Sequence, residues 1–67
     1  MKINVNGATT ALGEASASVA SLVERMALTG KRIAVELNGQ IVPKSRYADT
    51  MLAEGDRIEI VGAVGGG

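Results

Sequence analysis

The stretch Arg32-Ile33-Ala34-Val35-Glu36-Leu37-Asn38-Gly39-Gln40-Ile41-Val42-Pro43 reads as a β-hairpin. Ile33, Val35 and Leu37 alternate with Arg32, Ala34 and Glu36, so the first strand has one apolar face to bury. Asn38-Gly39 supplies the two φ > 0 residues that a type I′ turn requires, and Gln40, Ile41 and Val42 return. Pro43 cannot donate a ladder hydrogen bond, which ends the returning strand and places it at a sheet edge.

The same signal stands upstream. Lys2 to Asn6 alternates with Ile3 and Val5 on one face, Asn6-Gly7 is a second hairpin turn, and Ala8 to Leu12 returns with Thr9 and Thr10 as β-formers. Ser18 can cap a helix in which Val19, Leu22, Val23 and Met26 fall at i, i+3, i+4 and i+7, all on one stripe. This spacing predicts a helix over Val19 to Leu28, with Gly30 as the left-handed residue that ends it. After Pro43 an irregular stretch runs through Tyr47, Glu54-Gly55-Asp56 forms a turn, and Arg57 to Ala63 is the last strand, with Ile58 and Ile60 inward.

A helix with one apolar stripe and strands with one apolar face share a core only if the helix lies across one face of the sheet. The expectation is an α+β, ubiquitin-like β-grasp: a mixed five-stranded sheet, first and last strands parallel at its centre, the helix making the right-handed crossover. Residues 1–64 form that domain, and Gly65 to Gly67 form a flexible tail, because glycine has no side chain to pack and loses the most entropy on ordering.

Composition narrows the chemistry. A chain of 67 residues buries only about 60% of the surface its unfolded form exposes. It has no Cys and no His, which removes disulfides, the common zinc sites, His-dependent triads and Cys nucleophiles, and Tyr47 alone cannot build a stacking platform for nucleic acid. Seven basic residues balance seven acidic ones and are scattered, so no phosphate-binding footprint forms. No apolar run approaches the roughly 20 residues that span a bilayer, and Met1-Lys2-Ile3-Asn4 enters the first strand without an apolar leader. The expectation is a cytoplasmic, non-enzymatic protein, monomeric when free, that contacts neither nucleic acid nor membrane and binds no metal or cofactor itself. Asp56 has no second acid fixed near it by spacing and reads as a turn residue.

Gly65-Gly66-Gly67 is the most informative feature. It reads either as a frayed end or leftover linker, or as a thin segment able to thread a partner's narrow channel with a carboxylate at its tip. Val61, Ala63 and Val64 put apolar atoms beside this tail, where an outward strand face should be polar, and form a candidate docking patch.

Asn38, Ile41, Val42, Pro43 and Tyr47 resemble the N-x-x-I-V-P-x-x-x-aromatic segment of the ThiS family, the sulfur carriers of thiamin biosynthesis. Leu52, Gly55, Asp56, Ile58, Glu59, Ile60 and Val61 resemble its L-x-x-G-D-x-I-E-I-V segment, which leads to a terminal Gly-Gly, and Ser18-Val19 with Leu22 and Val23 matches the start of its helix. Gly65 departs from the pattern as a third glycine. The resemblance implies a protein co-substrate. A ThiF-type enzyme uses ATP and Mg²⁺ to adenylate the carboxylate of Gly67, sulfur from a cysteine desulfurase replaces AMP, and the resulting thiocarboxylate donates sulfur to thiazole synthase (ThiG). Gly65 and Gly66 are then the threading residues. Two other readings stay open. One is the small subunit of molybdopterin synthase, whose approach to the tail is usually proline-rich, unlike Val61-Gly62-Ala63-Val64. The other is a β-grasp binding module acting through its sheet surface alone.

Overall fold

The computed structural model describes residues 1–13 and 16–62. Its strands are β1 (Lys2–Val5), β2 (Ala8–Ala11), β3 (Ala17–Ser18), β4 (Ile33–Leu37), β5 (Gln40–Val42), β6 (Met51–Leu52) and β7 (Arg57–Gly62). Helix α1 spans Val19–Arg25, and a 3₁₀ helix spans Lys44–Asp49. Five strands form a mixed sheet in the order β2-β1-β7-β4-β5. β1 and β7 run parallel, with Asn4 opposite Arg57 and Val5 opposite Ile58. β7 is antiparallel to β4, and β5 is an edge strand that stops before Pro43. The fold is the β-grasp expected from the sequence.

Alternation decides what is buried. Ile3, Val5, Val35, Ile58 and Ile60 point to the helix side, where Val19, Leu22 and Val23 of α1 meet them in one core completed by Leu12, Ala17, Val42 and Leu52. No polar side chain is buried among the described residues. Ser18 caps α1 as expected. Its hydroxyl oxygen accepts from Ser21 N–H at 3.1 Å, and the Ser21 hydroxyl oxygen accepts from Ser18 N–H at 3.0 Å, closing a reciprocal capping box.

The helix ends three residues earlier than its periodicity predicts. Met26 is the C-cap, and Ala27, with φ of 59°, takes the left-handed position expected for Gly30. Ala27 N–H donates to the Glu24 carbonyl and Leu28 N–H to the Val23 carbonyl, both at 2.9 Å, the paired bonds of a Schellman motif. Leu28 therefore folds back toward Val23 instead of continuing the helix, and Met26 is 38% exposed rather than core. Gly30 has φ of 81° but lies in the turn that follows. Ala27→Gly should stabilise the domain by about 0.5–1 kcal/mol, because relieving a left-handed Cβ clash of about 1–2 kcal/mol outweighs the added chain entropy. Urea unfolding reads this directly, and a midpoint equal to or below wild type would refute it.

Other expectations need correction. The stretch from Lys44 through Tyr47 is not irregular but the first part of the 3₁₀ helix. β3 and β6 form a small separate antiparallel pair, Ala17 opposite Leu52, that the periodicity does not reveal because two residues show no period. Asn6, Leu12 and Arg32 fall just outside the strands they were expected to end or begin. Ala63, the expected last strand residue, lies outside the described residues, as do Val64 and Gly65 to Gly67.

Candidate functional site

β7 is the central strand and the one that leads to the glycines, so the site is built around its C-terminal end. Ile58 and Ile60 anchor it from the core side. On its antiparallel flank β4 accompanies it to the last described residue, with Ala34 opposite Val61 and Ile33 opposite Gly62. On the parallel flank β1 stops at Val5, opposite Ile58. The side chain of Asn6 carries the ladder further: its Oδ1 accepts from Ile60 N–H at 2.7 Å, and its Nδ2 donates to the Ile60 carbonyl at 3.0 Å. A primary amide offers the same donor and acceptor as a peptide, so Asn6 stands in for one more strand residue. Its φ of 52° is set by the Asn6-Gly7 turn.

The other end of β7 is held the same way. Asn38, also left-handed in an Asn-Gly turn with φ of 51°, accepts from Arg57 N–H at 2.9 Å and donates from Nδ2 to Asp56 Oδ1 at 3.0 Å. Asp56 Oδ2 accepts from Ala53 N–H at 2.7 Å. Asp56 thus acts as the turn residue expected of it. Each Asn-Gly turn therefore closes a hairpin and also clamps β7. Sequence reasoning found both turns and missed both clamps, because no spacing rule brings Asn6 to Ile60 across 54 positions of separation.

Of the expected docking residues, Val61 is described: it lies on the outer face, 56% exposed, beside Ala34, with the pair Glu36 and Glu59 next along the two strands. Ala63, Val64 and the tail residues Gly65, Gly66 and Gly67 lie outside the described residues. Among the described residues no group of three or more His, Cys, Asp or Glu could hold a metal ion, and no helix is long and apolar enough to cross a membrane. What the arrangement offers is a central strand held at both ends by asparagine side chains, with Gly62 as its last described residue.

A crystal structure of the thiamine biosynthesis protein ThiS from Geobacter metallireducens superposes with a TM-score of 0.87 at 29% identity, covering 100% of both chains. A solution structure of a thiamine biosynthesis protein from the same organism gives a TM-score of 0.81 at 30% identity, covering 100% of this chain and 88% of that one. Two curated relatives carry the name thiazole synthase. The one from Paramagnetospirillum magneticum is 40% identical and the one from Magnetococcus marinus 34% identical, each over all 67 residues of this chain. The chain spans about a fifth of the length of these relatives, 20% in each case. The family model that matches is that of the ThiS family, over residues 3–67. With the β-grasp sheet and a match over nearly the whole sequence, the chain belongs to the ThiS family.

Proposed function

We propose that this chain is a sulfur carrier for thiazole formation in thiamin biosynthesis, with the carboxylate of Gly67 as the group that is modified. The family match over residues 3–67 carries the reading, and the clamped β7 supports it by giving the residues after Gly62 a fixed point of departure. A carboxylate resists nucleophilic attack. A ThiF-type partner, with ATP and Mg²⁺, joins the Gly67 carboxylate to AMP and releases pyrophosphate. The mixed anhydride then expels AMP when persulfide sulfur originating on a cysteine desulfurase attacks, and a thiol reductant cleaves the resulting acyl disulfide to leave the thiocarboxylate, a division of one hard step into easier ones. The thiocarboxylate passes its sulfur to a thiazole synthase, and the name of the curated relatives supports that destination. Gly65 and Gly66 keep the approach thin, and Val61 with Ala63 and Val64 supplies apolar contact to the partner beside it. Reliance on ATP fits a cytoplasmic setting.

The test is direct. Mixing the protein with ATP, Mg²⁺ and a ThiF-type enzyme should release pyrophosphate and add one adenylate to its intact mass. Adding the desulfurase, cysteine and a thiol reductant should then replace one oxygen by sulfur at Gly67. Absence of pyrophosphate release would overturn the reading.

A further inference from the structure

We propose that the pocket between the end of α1, the start of β4 and the 3₁₀ helix is a second anchoring point for the adenylating enzyme, and that it takes an apolar side chain carried next to a carboxylate. This rests on the carrier reading and adds to it a contact on the opposite side of the sheet from Val61. The pocket measures about 120 Å³, well below the roughly 300–1,000 Å³ of small-molecule sites, so it suits one side chain rather than a cofactor. Ala20, Val23, Leu28, Ile33 and Tyr47 form its apolar walls. Thr29, Gly30 and the exposed Lys31 and Lys44 complete the lining, and neither lysine has an ion-pair partner among the described residues.

Position links the pocket to the enzyme. Ile33 in its wall stands opposite Gly62, the last described residue of β7. An enzyme that receives the residues after Gly62 therefore passes beside the pocket while Val61 faces it from the outer side. Charge fixes the chemistry of the occupant: two unpaired ammonium groups beside an apolar hollow favour a segment in which an acid neighbours an aliphatic or aromatic residue. The early end of α1 makes this possible, since the Schellman turn brings Leu28 back toward Val23 as wall.

Two variants of the full chain test it. Lys31→Glu with Lys44→Glu reverses the charge, and Ala20→Leu fills the hollow from a half-exposed helix position that tolerates a good helix former. In pyrophosphate release by the ThiF-type enzyme, each should raise KM for the carrier by about tenfold or more, with the effect confined to KM and with the melting curve retained. A KM at the wild-type value in the charge-reversed protein, with wild type turning over, would overturn the pocket proposal and leave the carrier reading standing. A wild-type protein that is not adenylated at all overturns both. Sedimentation of wild type as a dimer that the Lys variants dissociate would assign the pocket to a second copy of this chain and overturn the enzyme as its occupant.

Discussion

Deletion of Gly66 and Gly67 is expected to abolish thiocarboxylate formation while leaving the melting temperature unchanged. Glycine has no side chain to bury, and the core of Ile3, Leu22, Val35 and Ile58 with its neighbours is complete without these residues. The strand that precedes them is secured upstream, by Asn6 at Ile60 and by Asn38 at Arg57. Function depends on reach instead. Each extended residue spans at most about 3.6 Å, so losing two withdraws the carboxylate by roughly 7 Å, far more than a phosphoryl-transfer geometry tolerates. Gly66→Val separates length from width, since it keeps the reach and adds a branched side chain where the channel is expected to be narrowest. Adenylation should fall steeply in that variant too. Pyrophosphate release and intact mass report function, and thermal unfolding reports stability. A truncated protein that unfolds would make the tail structural, and one that still accepts sulfur would end the carboxylate mechanism.

The layers of the fold were legible because each rests on a local pattern. Asn6-Gly7 and Asn38-Gly39 announced their turns, alternation placed Val35, Ile58 and Ile60 inward, and Ser18 marked the helix start. What stayed illegible depends on contacts distant in sequence or on residues acting against type. Ala27 ends the helix although alanine rarely takes a left-handed conformation, so on paper the helix runs on through Leu28 with Met26 on its stripe. The β3–β6 pair is too short to show a period. Asn6 and Asn38 double as clamps because the sheet order brings β7 between two turns, and sheet order is not written in any one segment. The glycines identified the candidate site through resemblance. The pocket at Lys31, Lys44 and Tyr47 needed the folded arrangement of three elements.

Leu22→Ala should destabilise the domain by about 2–5 kcal/mol, whereas Met26→Ala, one helical turn further along the same stripe, should cost well under half of that. The sequence pattern treats the two positions alike; the Schellman turn separates them, leaving Leu22 at 1% exposure and Met26 at 38%. Removing the Leu22 side chain leaves a cavity in the core it shares with the fully buried Val35 and Ile58. Tyr47 is the chain's one aromatic residue, and it sits at the core's edge, so no large side chain is at hand to collapse into the gap. Domains of this size have a total stability of roughly 3–10 kcal/mol, so the loss is a large share of the whole. With each kcal/mol worth about 4–8 °C at this length, the melting temperature should fall by roughly 8–40 °C for Leu22→Ala. Equal shifts in the two variants would mean that α1 continues through Met26 and that the Ala27 turn is misplaced. A wild-type melting curve for Leu22→Ala would mean that α1 packs on the sheet through another face.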